Sequence, residues 1–122
     1  MRSLRSYYIL GVLEQVATDI KRGFLLLARE DNQAVGVAYI VTILSAEHCG
    51  LVAWLEELYV TPSHRCRGIG AALVSAALDR ARAASIVAVD LEIDAEHSRV
   101  ESLYQRFGFS RLNRTRWVKV LN

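Results

Sequence analysis

The stretch Leu55 to Leu73, LEELYVTPSHRCRGIGAAL, constrains the fold more than any other part of the chain. An apolar strand ends in Leu58-Tyr59-Val60 and meets a short polar loop carrying Pro62. Arginines and glycines then lead straight into a helix. The centre of the loop is Arg65-Cys66-Arg67-Gly68-Ile69-Gly70-Ala71. Glycine lets a backbone approach a ligand closely. Successive N–H groups at a helix start, with the helix dipole behind them, form an anion site. Arg65 and Arg67 add positive charge at the same point. The chemistry suits a phosphate-bearing ligand, and a pyrophosphate best.

The rest of the chain supplies a frame for that loop. Ile9, Leu13, Val16, Ala17 and Ile20 recur at helical spacing, so a helix is predicted over 4–21. Gly23 stops it. Phe24 to Arg29 reads as a strand, Asp31-Asn32-Gln33 as a hairpin turn and Ala34 to Ile43 as a second strand. After a turn over Ser45 to Gly50, Leu51 to Val60 makes a third antiparallel strand. Gly70 to Ala84 reads as a helix with Leu73, Val74, Ala77, Leu78 and Ala81 on its apolar face. Ile86 to Ile93 alternates as a strand, and a strand–helix–strand crossover sets it parallel to Leu51–Val60. A further helix capped by Ser98 presents Val100, Leu103, Tyr104 and Phe107 and ends at Gly108. Phe109 to Leu121 reads as one or two last strands. The prediction is an α/β (α+β) chain, one domain over 1–122, with a mixed central sheet flanked by helices.

Two common phosphate motifs fail. The P-loop needs a lysine after its second glycine, and none lies near Gly68 and Gly70. The dinucleotide fingerprint needs a third glycine where Leu73 stands. Arg65-x-x-Gly68-x-Gly70-Ala71 after a strand ending Leu-Tyr-Val instead resembles the coenzyme A pyrophosphate loop of GNAT-superfamily N-acetyltransferases. Glu96 to Phe109, with Leu103-Tyr104 and Gly108-Phe109, resembles that family's later signature. The resemblance covers about Gly23 to the C-terminus, with the coenzyme A core at about 51–109. It implies a sheet whose two central strands splay apart to admit the cofactor. The departure is at the front, where 22 residues precede Gly23. The family usually has a strand and two helices there, so the first strand is expected to be absent, or a homodimer partner to cover that edge.

The resemblance implies acetyl transfer from acetyl-CoA to a primary amine by direct attack in a ternary complex. The amine must lose a proton, an oxyanion must be stabilised and the departing thiolate takes up a proton. By analogy, the backbone of Leu58, Tyr59 and Val60 holds the pantetheine arm as an added strand would. The loop Arg65, Cys66, Arg67, Gly68, Ile69, Gly70 and Ala71 holds the pyrophosphate. Tyr104 matches the family's thiolate acid, with packing as its alternative role. His97 stands where the family often has a cofactor-touching asparagine. Glu56 and Glu57 are both candidate bases. Strand alternation turns successive side chains to opposite faces, so one of the two is expected to face the acceptor, with Glu56 preferred and a water chain as the alternative. A non-catalytic module that binds acyl-CoA is the competing reading, and retention of Tyr104 with the acidic pair speaks against it.

Composition narrows the partners. Net charge is +2, too small to argue for nucleic acid. Arginine supplies 13 of the 15 basic residues, which favours phosphate and carboxylate pairing. Cys49 and Cys66 lack metal-ligand spacing and read as free thiols, so no metal is expected. No apolar run reaches bilayer length and no charged-then-apolar leader opens the chain, so a cytoplasmic protein away from membranes is expected. The acceptor is a small-molecule or peptide amine whose identity these residues do not fix. Tyr7, Tyr8, Trp54 and the acidic pair would suit a cationic one.

Overall fold

The structure, a computed structural model, describes residues 22–94 and 99–122. The helix expected over 4–21, Tyr7, Tyr8, His97 and Ser98 lie outside the described residues. Contacts group the chain into two units, one ending at Glu92 and one running from Ile93 to Asn122. Each is described by itself.

The first unit is a four-stranded sheet in the order β1-β2-β3-β4 with one helix on it. Strand β1 (Gly23–Glu30) pairs antiparallel with β2 (Gln33–Ser45). The turn between them is two residues, Asp31 at φ 51° and Asn32 at φ 65°. Both angles are positive, as a type I′ hairpin demands, and Asp and Asn tolerate them. Strand β3 (Gly50–Val60) returns antiparallel to β2. Helix α1 (Ile69–Ala83) crosses over, and β4 (Ala88–Asp90) lies parallel to β3. The expected meander and parallel crossover are both present.

The core lies between α1 and one face of this sheet. Leu73, Val74, Ala77 and Ala81 are the buried positions of α1, as its period requires. They meet the sheet face on which Ala38, Ile40, Ala53 and Leu55 are buried. Fully burying a side chain such as Leu73 contributes about 1.5–3 kcal/mol. Gly36 marks the closest approach. A Cβ there would stand 3.1 Å from a Leu73 methyl and 3.3 Å from an Ile69 methyl. Helix α1 ends in a Schellman turn: Ile86 N–H donates to Ala81 C=O, and Ser85 N–H to Arg82 C=O. Ser85, at φ 60°, takes the left-handed position usually held by glycine.

Strand β4 is shorter than expected. Pairing with β3 covers Val52 to Trp54 against Ala88 to Asp90 and then stops. Val87 is 58% exposed, although its N–H donates to Leu51 C=O.

In the second unit, α2 (Glu101–Arg106) buries Tyr104. Gly108, at φ 91°, closes it with a second Schellman turn, Phe109 N–H to Tyr104 C=O and Gly108 N–H to Gln105 C=O. The strands expected over Phe109 to Leu121 are not formed. Alternation gives a segment β propensity, but a strand exists only as one side of a ladder. Here Trp117, Val118, Val120 and Leu121 are exposed. Among the described residues no helix is long and apolar enough to cross a membrane.

Candidate functional site

The site begins where β3 outruns its neighbour. Beyond Trp54 and Asp90, β3 continues through Leu55 to Val60 with β2 on one edge, and β4 is no longer hydrogen-bonded on the other. Which groups face that open edge follows from the ladder. Thr61 N–H donates to Val35 C=O at 2.9 Å, which makes Thr61 and Val35 a hydrogen-bonded pair. Antiparallel pairs alternate, so Val60–Gly36 and Leu58–Ala38 are non-bonded pairs and Tyr59–Val37 is a bonded one. The N–H and C=O of Leu58 and Val60 therefore point away from β2, while those of Tyr59 are engaged with it. The Tyr59 ring instead lies 5.5 Å from the Arg65 guanidinium.

A β-bulge sets this half of the strand apart. Tyr39 pairs with Glu57 and Ile40 with Leu55, leaving Glu56 as the extra residue. Paired residues share a face, so Leu55 and Leu58 lie with Ile40 and Ala38 on the α1 side. Glu57 lies with Tyr39 on the opposite side. Glu56, one step from Leu55, points the same way as Glu57. This corrects the expectation that the two carboxylates face apart: the alternation argument fails at a bulge. Glu56 is exposed and Glu57 half-buried. Sequence reasoning missed Tyr39, which is 9% exposed beside this pair. Burial pushes its hydroxyl pKa up, and the Glu56 charge adds to the effect while Arg22 opposes it.

At the end of β3 the chain makes a 3₁₀ turn, Pro62–His64, and enters the anion loop. Arg65 folds back, its Nε donating to Val60 C=O at 2.9 Å. Cys66 at φ 63° and Gly68 at φ 82° are both left-handed. Glycine takes that conformation freely, whereas a residue with a Cβ gives up about 1–2 kcal/mol. Gly68 is the N-cap of α1, with no side-chain cap and no acidic residue in the first turn. The first N–H groups of a helix lack intrahelical acceptors. Here the N-cap supplies no side-chain acceptor, and half-buried Ile69, Gly70 and Ala71 carry these groups. A Cβ at Gly68 or Gly70 would meet nothing within 4 Å, so the ground above both glycines is open.

His64 precedes the arginines of the loop. It is half-buried, its Nε2 2.9 Å from Glu30 Oε2. Arg67 Nη1 lies 3.2 Å from the same oxygen, which commits its guanidinium to β1. Cys49 and Cys66 are free and exposed, as expected. In the second unit Tyr104 packs edge-on against Phe109, ring centres 5.6 Å apart.

The resemblance seen in the sequence extends to known proteins. Residues 4–109 match the model of the acetyltransferase (GNAT) family. The mycothiol acetyltransferase of Renibacterium salmoninarum is 34% identical over 92 residues, 73% of this chain and 26% of that protein. The type 1 aminoglycoside N(6′)-acetyltransferase of Klebsiella aerogenes is 34% identical over 94 residues, 75% of this chain and 62% of that protein. The chain thus spans less than two thirds of either relative. The apo aminoglycoside 6′-N-acetyltransferase of Acinetobacter haemolyticus superposes with a TM-score of 0.76 at 20% identity, covering 95% of this chain and 81% of that one. That match concerns the fold.

Proposed function

The chain belongs to the acetyltransferase (GNAT) family, and on that premise we propose that it transfers an acetyl group from acetyl-CoA to a primary amine by direct attack. The observation that carries this reading is the open edge of β3 running directly into an uncapped helix start. An extended arm can add to the N–H and C=O of Leu58 and the N–H of Val60, the Val60 C=O already accepting from Arg65 Nε. A pyrophosphate suits the N–H groups of Ile69, Gly70 and Ala71, with the Arg65 charge beside them. An N–H pointing away from β2 is also the kind of donor that stabilises a thioester oxyanion.

Tyr104 is the proposed acid for the departing thiolate, since a phenol near pKa 10 can protonate a thiolate of comparable basicity. Glu56 and Glu57, side by side on one face, are the proposed proton acceptors for the amine, directly or through water. His97 is proposed to touch the cofactor. Two adjacent carboxylates favour a cationic acceptor. The relatives are named for an aminoglycoside and for mycothiol, and we take the acceptor to be a small-molecule amine, a peptide amine being the other candidate.

The test is acetyl-CoA turnover against a panel of amines, read as free thiol released. Amine-dependent release supports the proposal. Tight coenzyme A binding with no turnover for any amine would make the protein an acyl-CoA-binding module.

A further inference from the structure

We infer that Glu30 is a positioning residue of the anion loop, holding it through Arg67 and His64 in the shape that receives a pyrophosphate. The inference rests on the coenzyme A reading above. Glu30 is the last residue of β1, beside the Asp31-Asn32 turn, 37 residues from Arg67 in sequence. Its carboxylate accepts from Arg67 Nη1 at 3.2 and 3.4 Å. Its Oε2 also lies 2.9 Å from His64 Nε2. His64 Nδ1 in turn lies 2.9 Å from the hydroxyls of both Thr61 and Ser63. One carboxylate thus ties the hairpin to both flanks of the loop, at residue 64 before it and residue 67 within it.

The backbone gives this tie its purpose. Arg67 stands between Cys66 and Gly68, the two left-handed residues of the loop. A left-handed residue with a Cβ persists only where its surroundings hold it. Glu30 grips the side chain between the two. The grip is exposed, at 45% for Glu30 and 54% for Arg67, and surface pairs of this kind add little to global stability. Its effect should therefore fall on the loop alone, and so on the part of the ligand that the loop holds.

The experiment compares wild type with Glu30→Ala in the full chain, using calorimetric titration of coenzyme A. Steady-state kinetics follow with acetyl-CoA and with S-acetylpantetheine, which has no phosphate. Glu30→Ala should weaken coenzyme A binding about three- to tenfold, the scale of a small ion-pair network. The acetyl-CoA KM should rise in step while kcat and the S-acetylpantetheine KM stay. In Arg67→Ala, adding Glu30→Ala should cost little more, because the two act as one unit. Should Glu30→Ala fail to fold, Glu30→Gln carries the same comparison with a smaller expected loss. Unchanged coenzyme A affinity, tighter affinity, or equal losses for both donors would each overturn the inference. Absence of coenzyme A binding in wild type would sink the underlying reading as well.

Discussion

One strand contains two different environments. In the first half of β3, Val52 to Trp54 pair with β2 on one edge and β4 on the other, and Val52 and Ala53 are 3% and 0% exposed. In the second half, Leu55 to Val60 keep β2 alone, and Glu56 reaches solvent. Both halves have the same backbone. They differ in what lies along their second edge: β4 in the first, and no hydrogen-bonded strand among the described residues in the second. The Glu56 bulge lies within the second half, turning two carboxylates to one face while Leu55 and Leu58 stay against α1. The comparison teaches that the surroundings of a strand change along its length as much as between its faces.

The largest expected effect breaks the closed half. Ala53→Glu buries a carboxylate with both backbone edges occupied. An unpaired buried charge is worth several kcal/mol against a total stability of about 5–15 kcal/mol. A urea melt should show no cooperative transition. Glu57→Gln in the open half should move stability by about 0.5 kcal/mol or less. Equal melts would erase the distinction between the halves.

Next comes catalysis. Tyr104→Phe keeps the ring on Phe109 and removes the phenolic proton. Turnover should fall about 10²–10⁴-fold with coenzyme A affinity unchanged. Full activity would return Tyr104 to packing alone.

Gly70→Val then tests the loop without disturbing the frame. No positive φ requires glycine there, and a Cβ meets open space, so the melting temperature should hold. Coenzyme A affinity should drop about tenfold or more, the scale of one charge-assisted hydrogen bond at about 1.5–3 kcal/mol. Gly68→Val mixes that loss with strain at φ 82°. Wild-type affinity in Gly70→Val would remove the loop from the site.

The smallest effect concerns the acidic pair. Because the bulge places both carboxylates on one face, Glu56→Gln and Glu57→Gln should each slow turnover by less than the roughly 10² of a lone general base. The double variant should slow it further and flatten the rise of rate with pH between about 6 and 10. A large loss in one variant and none in the other would restore an alternating strand.

Much of this was legible before any coordinates. The meander, the crossover and the Gly68–Gly70 loop carry their chemistry in residue type and spacing, so pattern alone located them. The bulge left a sign that alternation arguments override. Leu55 and Leu58 are three apart, and two leucines at that spacing share a face of a strand only if one residue between them is extra. The Glu30 clasp left no sign, because ion pairs between distant residues depend on the register of β1 against β2. The last segment misled for the opposite reason. Its alternation is real, but a ladder needs a partner that alternation does not specify.

The most direct test of the open edge is amide hydrogen exchange at single-residue resolution, with and without free coenzyme A. At a hundredfold excess over the dissociation constant, exchange at Leu58 and Val60 should slow by up to about a hundredfold. Tyr59, already paired to β2, and Ala53, in the closed half, should change far less. NAD at the same concentration should protect none of them. Coenzyme A that binds while Leu58 and Val60 exchange as freely as before would contradict the account.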